Sequence, residues 1–156
     1  MPLNYNVKQT DTGTGGGYNT TFTIKPPKKK NLSGVHPDLQ TLFNEVVKHF
    51  DCTVVSGFRS QEEQEALYAK GRTVPGKIVT HMDGVERRSK HQTGNAVDVV
   101  PYPIAWGDVA RFKQFGWFVK GVAATLKRYG AIDSEIEWGG DWTRFVDRPH
   151  FQIKGT

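Results

Sequence analysis

Apolar residues recur at helical spacing in the segment that follows His36, and this pattern predicts an amphipathic helix. Pro37 suits the first turn of that helix. The apolar stripe consists of positions that follow an i, i+3, i+4 rhythm: Leu39, Leu42, Phe43, Val46, Val47 and Phe50. We therefore expect a helix that continues to Phe50 and packs one face against a core.

Two further helices are predicted from their end signals. Ser60–Glu63 fits a capping box, and Gly71 closes the helix that this box opens. Asp108 can cap a longer helix that runs to Tyr129 and stops at Gly130. The apolar positions of the longer helix mostly face the core: Phe112, Val119, Val122, Ala123 and Leu126.

Short apolar runs elsewhere predict strands. These runs are Thr53–Gly57, Ala96–Val100 and Phe151–Ile153, and Ile136–Trp142 has the pattern of a strand followed by a turn. The second run contains Asp98, although a carboxylate among β-branched residues is unfavourable unless something satisfies it.

Alternation along the last strand places His150 and Gln152 on one face, with Phe151 and Ile153 on the other. If this strand lies beside the strand of Asp98, then His150 and Asp98 face the same cleft.

The composition indicates one folded domain and a different N-terminal segment. The chain has 156 residues, of which 37% are hydrophobic, and this suits a single core. Residues 1–34 contain a glycine-rich run, Thr12–Gly17, and a basic run with prolines, Lys25–Lys30. We expect a flexible arm over residues 1–34, with a short strand or an extended stretch at Thr20–Ile24, and one domain over residues 35–156. The lysines either bind an anionic polymer or lipid or form a solvated linker.

The net charge alone does not identify the class of binding partner. The formal net charge of +5 favours an anionic partner, and nucleic acid, a membrane surface and a cell wall all qualify. Cys52 is the only cysteine, which excludes an intramolecular disulfide, and its apolar neighbours predict a buried side chain. The chain opens without the pattern of a signal peptide and has no transmembrane pattern, so we expect synthesis in the cytoplasm.

His91, Asp98 and His150 are the candidate metal ligands, because two histidines and one carboxylate are the usual set for a hydrolytic zinc with an open position. Asp147 lies three residues before His150, where it can act on a metal-bound water or simply cap a loop. A long loop over residues 72–90 leads to His91. His81 in this loop is a competing ligand, which we leave out.

Another group of acidic residues lies close by in the sequence and either binds a hard cation such as calcium or forms a solvated turn. Its members are Asp133, Glu135, Glu137 and Asp141.

Two motifs together carry a family resemblance. The first runs Ser89-x-His91 and then six residues to Asp98, and the second is Asp147-x-x-His150. This pattern resembles the zinc D,D- and L,D-peptidases of bacterial cell walls, the M15 or VanY-like group, from about Val35 to about Ile153. The resemblance implies an α+β single domain of the hedgehog/D,D-peptidase type, with a small antiparallel sheet flanked by helices.

The resemblance also implies roles for individual side chains. His91, Asp98 and His150 would bind Zn²⁺, and Asp147 would act as general base and then general acid. Ser56–Ser60 resembles a family segment whose arginine stabilises the oxyanion, so Arg59 is expected in that role, although a surface arginine or a carboxylate clamp is the alternative. Ser89 is expected to contact substrate or to orient the site, and Gln64 to line the cleft as a substrate-binding residue.

Within the group, the chain looks most like phage endolysins that cut the L-Ala–D-Glu bond of peptidoglycan. That likeness implies a monomer that binds no nucleic acid and does not insert stably into a membrane. It also implies that the protein stays in the host cytoplasm until a holin gives it access to the periplasm and cell wall. The first alternative is a D-Ala-D-Ala carboxypeptidase or dipeptidase. A non-catalytic, zinc-containing wall-binding module is the second, and a nucleic-acid-binding protein is weaker because no recognised motif is present.

Overall fold

The computed structural model describes residues 6–10, 21–25 and 32–156. Near the N-terminus, β1 (Asn6–Thr10) pairs with β2 (Thr21–Lys25) in an antiparallel ladder. Residues Thr21 to Ile24, expected as a short strand or an extended stretch, therefore belong to β2. The glycine-rich run and residues 26–30 of the basic run lie outside the described residues. None of the helices in the described residues is both long and apolar enough to cross a membrane.

The described residues from 32 onwards contain three helices and a four-stranded sheet, which confirms the predicted α+β class. The order along the chain is α1 (Pro37–Val46), β3 (Cys52–Ser56), α2 (Gln61–Ala69), β4 (Ala96–Pro101), α3 (Val109–Arg128), β5 (Ile136–Trp138) and β6 (His150–Ile153). The strands lie in the order β3-β4-β6-β5, and every neighbouring pair is antiparallel.

Helix α1 is shorter than its apolar stripe predicts. It ends at Val46, and the next residues form a tighter turn in which the amides of Lys48 and His49 donate to Glu45 and Val46. Phe50 still reaches the core from this turn, edge-on to Phe115 with ring centroids 5.2 Å apart. The prediction that the helix continues to Phe50 was therefore wrong, because a turn can bring the same side chain to the core.

The other end signals are confirmed. The Ser60 hydroxyl accepts from the Glu63 amide, and the Glu63 carboxylate accepts from the Ser60 amide. Asp108 accepts from the Arg111 amide at the start of α3. In both helices, the capping side chain accepts from a backbone amide of the first turn, which has no carbonyl partner within the helix.

One face of the sheet forms the core with α1 and α3. Phe151 on β6 has no exposed surface and packs edge-on to Phe43 of α1 and Phe115 of α3. Its ring also stacks on Trp138 of β5 at 6.3 Å. Leu32 belongs to the same cluster, so the core reaches back before α1.

The opposite face carries polar side chains in register. Asp98 of β4 is paired with Ser56 of β3 on one side and with His150 of β6 on the other. Gln152 is paired with Glu137 of β5. Since paired residues in a sheet point to the same face, these polar groups share one face and extend across all four strands.

Phe151→Ala should lower the free energy of unfolding by about 3–5 kcal/mol, because it leaves a cavity where three aromatic rings meet. Urea denaturation would measure the loss. Tyr129→Ala is the control, since it removes an aromatic side chain that is 80% exposed and should change stability by no more than about 0.5 kcal/mol. Equal effects of the two substitutions would contradict this account of the core.

Candidate metal centre

Three predicted ligands converge on the polar face of the sheet. His91, Asp98 and His150 each offer an atom within 4.8 Å of the others. Asp98 Oδ1 lies 3.4 Å from His91 Nε2 and 3.1 Å from His150 Nδ1. In residues 32–156 and the two N-terminal strands, this is the only group of three such side chains that comes together, so His81 is not part of one.

The strand register and one short turn produce this convergence. Asp98 and His150 are cross-strand partners, whereas His91 lies in a 3₁₀ turn, Lys90–Thr93, where the sequence predicted an irregular loop. Gly94 ends the turn at φ 74°. A Cβ there would lie 2.1 Å from the Gly34 carbonyl oxygen, so only glycine fits between the two backbones. The Gly94 carbonyl also accepts from the His36 amide at 2.8 Å.

Ser89 supports the turn that carries His91. Its hydroxyl accepts from the His91 amide at 3.3 Å, and its own amide donates to Gln92 Oε1 at 2.9 Å. These two hydrogen bonds hold the turn that carries His91, and the expected role of Ser89 toward the substrate or the site stays a prediction.

In each imidazole ring, one nitrogen faces Asp98 and the other donates a hydrogen bond to a neighbouring acceptor. His91 Nδ1 donates to the Gly57 carbonyl at 2.9 Å, which leaves Nε2 facing Asp98. His150 Nε2 donates to Gln152 Oε1 at 3.0 Å, which leaves Nδ1 facing Asp98. Such outer hydrogen bonds fix the tautomer and the ring plane of metal-binding histidines.

The support of His150 extends further across the sheet. Gln152 Nε2 donates to Glu137 Oε2 at 2.7 Å, and Trp142 Nε1 donates to Glu137 Oε1 at 2.8 Å. The sequence placed Gln152 on the face of His150 but gave it no role, and it gave Glu137 only a place in a possible cation site.

The acidic group does not converge on a second site. Glu135 pairs with Lys154, Asp141 pairs with Lys120, and Glu137 serves the His150 network. Each of these carboxylates therefore has its own partner, which favours the interpretation as a solvated acidic turn.

The electrostatics of the ligand group suit a cation. Burial raises the pKa of Asp98, but the hydrogen bonds and charges of His150 and His91 outweigh it and hold that pKa well below its ordinary value. Burial lowers the pKa of His150, but Asp98 reverses this and the net shift is upward. Two imidazole nitrogens and one carboxylate oxygen that face one point are a donor set that suits zinc.

Asp147 lies beside this group, in the irregular segment before β6. Asp147 as a residue is exposed to solvent. The surrounding protein atoms and the negative charge of Asp98 raise its pKa, and the histidines oppose that rise without cancelling it. A carboxyl whose pKa lies above its ordinary value is better matched to carrying protons near neutral pH.

Arg59 reaches the site from the other side. Its amide donates to the His91 carbonyl at 3.0 Å, and its guanidinium donates to Ser56 Oγ at 3.0 Å and to Gln64 Oε1 at 2.7 Å. Burial lowers its pKa, while the charges of Asp98 and Glu63 oppose that shift. Arginine stays protonated in spite of such a shift, so a fixed cation lies next to the ligand group.

Gln64 lies behind Arg59 and not on the open wall of the cleft where the sequence placed it. The side chain has no exposed surface. Its carbonyl accepts from Arg59, and its amide donates to the Met82 carbonyl at 2.6 Å and to Thr80. The physical reason is that α2 turns this position inward, where an amide must find internal partners.

Comparisons with known proteins agree with this geometry. The sequence profile of an M15 peptidase family described as D-alanyl-D-alanine carboxypeptidase matches residues 83–153. The peptidoglycan L-alanyl-D-glutamate endopeptidase CwlK of Bacillus subtilis is 39% identical over 114 residues, which are 68% of this chain and 62% of that protein's length. The L-alanyl-D-glutamate peptidase of Escherichia phage T5 is 28% identical over 139 residues, 86% of this chain and 90% of that one.

Among solved structures, the L-Ala D-Glu endopeptidase ChiX of Serratia marcescens superposes with a TM-score of 0.60 and 30% identity. The match covers 80% of this chain and 84% of ChiX. On this similarity, the chain belongs to the M15 family of metallopeptidases.

Proposed function

We propose that this chain is a zinc peptidase that hydrolyses the L-Ala–D-Glu bond in the stem peptide of bacterial peptidoglycan. The observation that carries the proposal is the convergence of His91, Asp98 and His150, with Asp147 and Arg59 on its border. The names of CwlK, the phage T5 peptidase and ChiX specify the same bond and support the choice of substrate.

His91 Nε2, Asp98 and His150 Nδ1 are the atoms that would hold the zinc. A zinc ion bound there supplies a Lewis acid that makes water a better nucleophile and polarises the scissile carbonyl. The chain's own contribution is to aim the two ring nitrogens, through the Gly57 carbonyl and Gln152.

Asp147 takes the proton from the attacking water and then delivers one to the departing amine of D-Glu. Its raised pKa suits both transfers. Arg59 faces the charge that develops on the carbonyl oxygen as the tetrahedral intermediate forms. Ser56 and Gln64 hold its guanidinium in place, so little reorganisation is needed when that charge appears.

The second candidate keeps this chemistry and changes the bond. A D-Ala-D-Ala carboxypeptidase is favoured by the description of the family whose profile matches residues 83–153. Digestion of purified peptidoglycan separates the two, because L-Ala–D-Glu hydrolysis creates new D-Glu amino termini, whereas carboxypeptidase action releases free D-alanine. Mass spectrometry of the muropeptides would identify the products, and release of D-alanine alone would overturn the first proposal.

We further propose the role of a phage endolysin, on the likeness to the phage T5 peptidase. A monomer is held in the host cytoplasm until a holin opens the route to the periplasm and cell wall. The net charge of +5 favours attraction to an anionic wall.

Metal removal is the first test. EDTA should abolish hydrolysis and Zn²⁺ should restore it, and alanine at His91, Asp98 or His150 should eliminate bound zinc as measured by elemental analysis. His81→Ala should keep the full zinc content, because His81 lies outside the group. Full wall lysis by a metal-free variant would refute the assignment.

Asp147→Ala should keep zinc and fold but lower kcat by roughly 10²–10⁴, the usual range for a positioned acid–base group. Asp147→Asn should be nearly as inactive, since it keeps the size but cannot carry the proton. Steady-state kinetics and zinc analysis on both variants would decide. Loss of zinc in Asp147→Asn would instead make Asp147 a ligand.

Arg59→Ala should lower kcat and kcat/KM by similar factors, roughly 10²–10³, with KM little changed, because a stabilised oxyanion exists only in the transition state. Arg59→Lys should recover only part of the lost activity. An ammonium group cannot reproduce the planar guanidinium that donates to Ser56 and Gln64 at the same time. Kinetics on a defined muropeptide would measure both.

Arg128→Ala is the matched control for Arg59, because it removes the same charge from an exposed position on α3. A rise in KM with unchanged kcat in Arg59→Ala would assign Arg59 to substrate anchoring, contrary to the oxyanion role.

A further inference from the structure

We propose that Trp138 and Gly139 are positioning residues that fix the catalytic acid, Asp147, at the edge of the metal centre. This inference rests on the proposed role of Asp147 in hydrolysis. It gives a function to the end of β5, which the mechanism above does not use.

The backbone on both sides of the acid is tied to the last residue of β5 and to the residue that follows it. The Asp147 amide donates to the Gly139 carbonyl at 3.0 Å. One residue later, the Arg148 carbonyl accepts from the Trp138 indole nitrogen at 2.7 Å. Neighbouring Phe145, with φ 55°, lies in the left-handed region, so Asp147 follows a segment whose backbone is not set by a helix or strand.

The Trp138 ring is itself confined between two backbones. A Cβ on Gly116 of α3 would lie 2.2 Å from the ring, and a Cβ on Gly140 would lie 2.1 Å from it. The ring is 98% buried and stacks on Phe151 at an interplanar angle of 18°. An indole held on these sides cannot tilt, so its nitrogen presents a fixed donor to Arg148.

Gly139 allows the acid to come close. A Cβ at this position would lie 2.4 Å from the Asp147 carbonyl oxygen and 3.2 Å from the Asp147 Cβ. Gly139 is not among the glycines with positive φ, so its backbone angle would admit other residues. The requirement for glycine is therefore one of space beside Asp147.

The rate of hydrolysis depends on how precisely the Asp147 carboxyl is positioned. A catalytic group must be held to within about 0.5 Å of its productive position, and a displacement of about 1 Å can lower the rate roughly 10²-fold. Gly139→Ala forces its close contact with the Asp147 backbone to open, because the added Cβ would lie 2.4 Å from the carbonyl oxygen. The three atoms nearest to that Cβ all belong to Asp147, and none belongs to a ligand.

Gly139→Ala, Asp147→Ala and the double variant form the decisive experiment. We expect Gly139→Ala to lose about 10–100-fold in kcat with zinc content and KM retained. In the Asp147→Ala background the same change should have no further effect, because the group that it displaces is gone. Gly121→Ala, on α3 with nothing within 4 Å of its Cβ, is the control and should keep full kcat.

Independent losses that multiply in the double variant would overturn the proposal, and so would a rise in KM at constant kcat. If Gly139→Ala does not fold, Trp138→Phe applies the same cycle, since it keeps an apolar ring and removes the donor to Arg148. The proposed function fails separately, by absence of L-Ala–D-Glu cleavage in the unmodified protein. If Asp147→Ala kept full kcat, both the catalytic role of Asp147 and the positioning role of Trp138 and Gly139 would be refuted.

Discussion

The largely buried carboxylate of Asp98 is the constraint on which the site and the pairing of β4 with β6 depend. Its neighbours in β4 are apolar and buried, and the Asp98 side chain itself is only 20% exposed. A buried charge without partners costs several kcal/mol, so the surrounding structure must supply them. Two imidazoles do so, and one of them can reach Asp98 only if β6 lies directly beside β4 in the observed register.

From that carboxylate the support spreads outward in both directions. On one side, His91 is held by Gly57, and the Arg59 amide donates to the His91 carbonyl. On the other, His150 is held by Gln152 and through it by Glu137. Because the rings are oriented by groups on three strands and a turn, the ligand set depends on the whole sheet. The described contacts thus tie the ligand set to several strands and not to a single loop.

Most of the fold could be predicted from sequence, because caps and apolar rhythms act over a few residues. Ser60 and Asp108 mark the starts of their helices, the Asp98 strand is a short apolar run, and the His150 strand shows alternation. The sheet order could not be predicted, since it depends on register between segments far apart in the chain. The His150–Gln152–Glu137 network and the burial of Gln64 were missed for the same reason. Asp147 and Arg59 were proposed as site residues through the resemblance more than through their own chemistry.

The close contact between Gly34 and Gly94 has a consequence for how this domain can be joined to others. The Gly34 carbonyl lies against the turn that carries His91, the His36 amide donates to Gly94, and Leu32 and Val35 belong to the core. Residues 32–36 therefore act as a lining of the catalytic module, although they precede its first helix. A fusion or truncation at the N-terminal side of this domain should therefore keep residues 32–36, and its boundary should lie before Leu32.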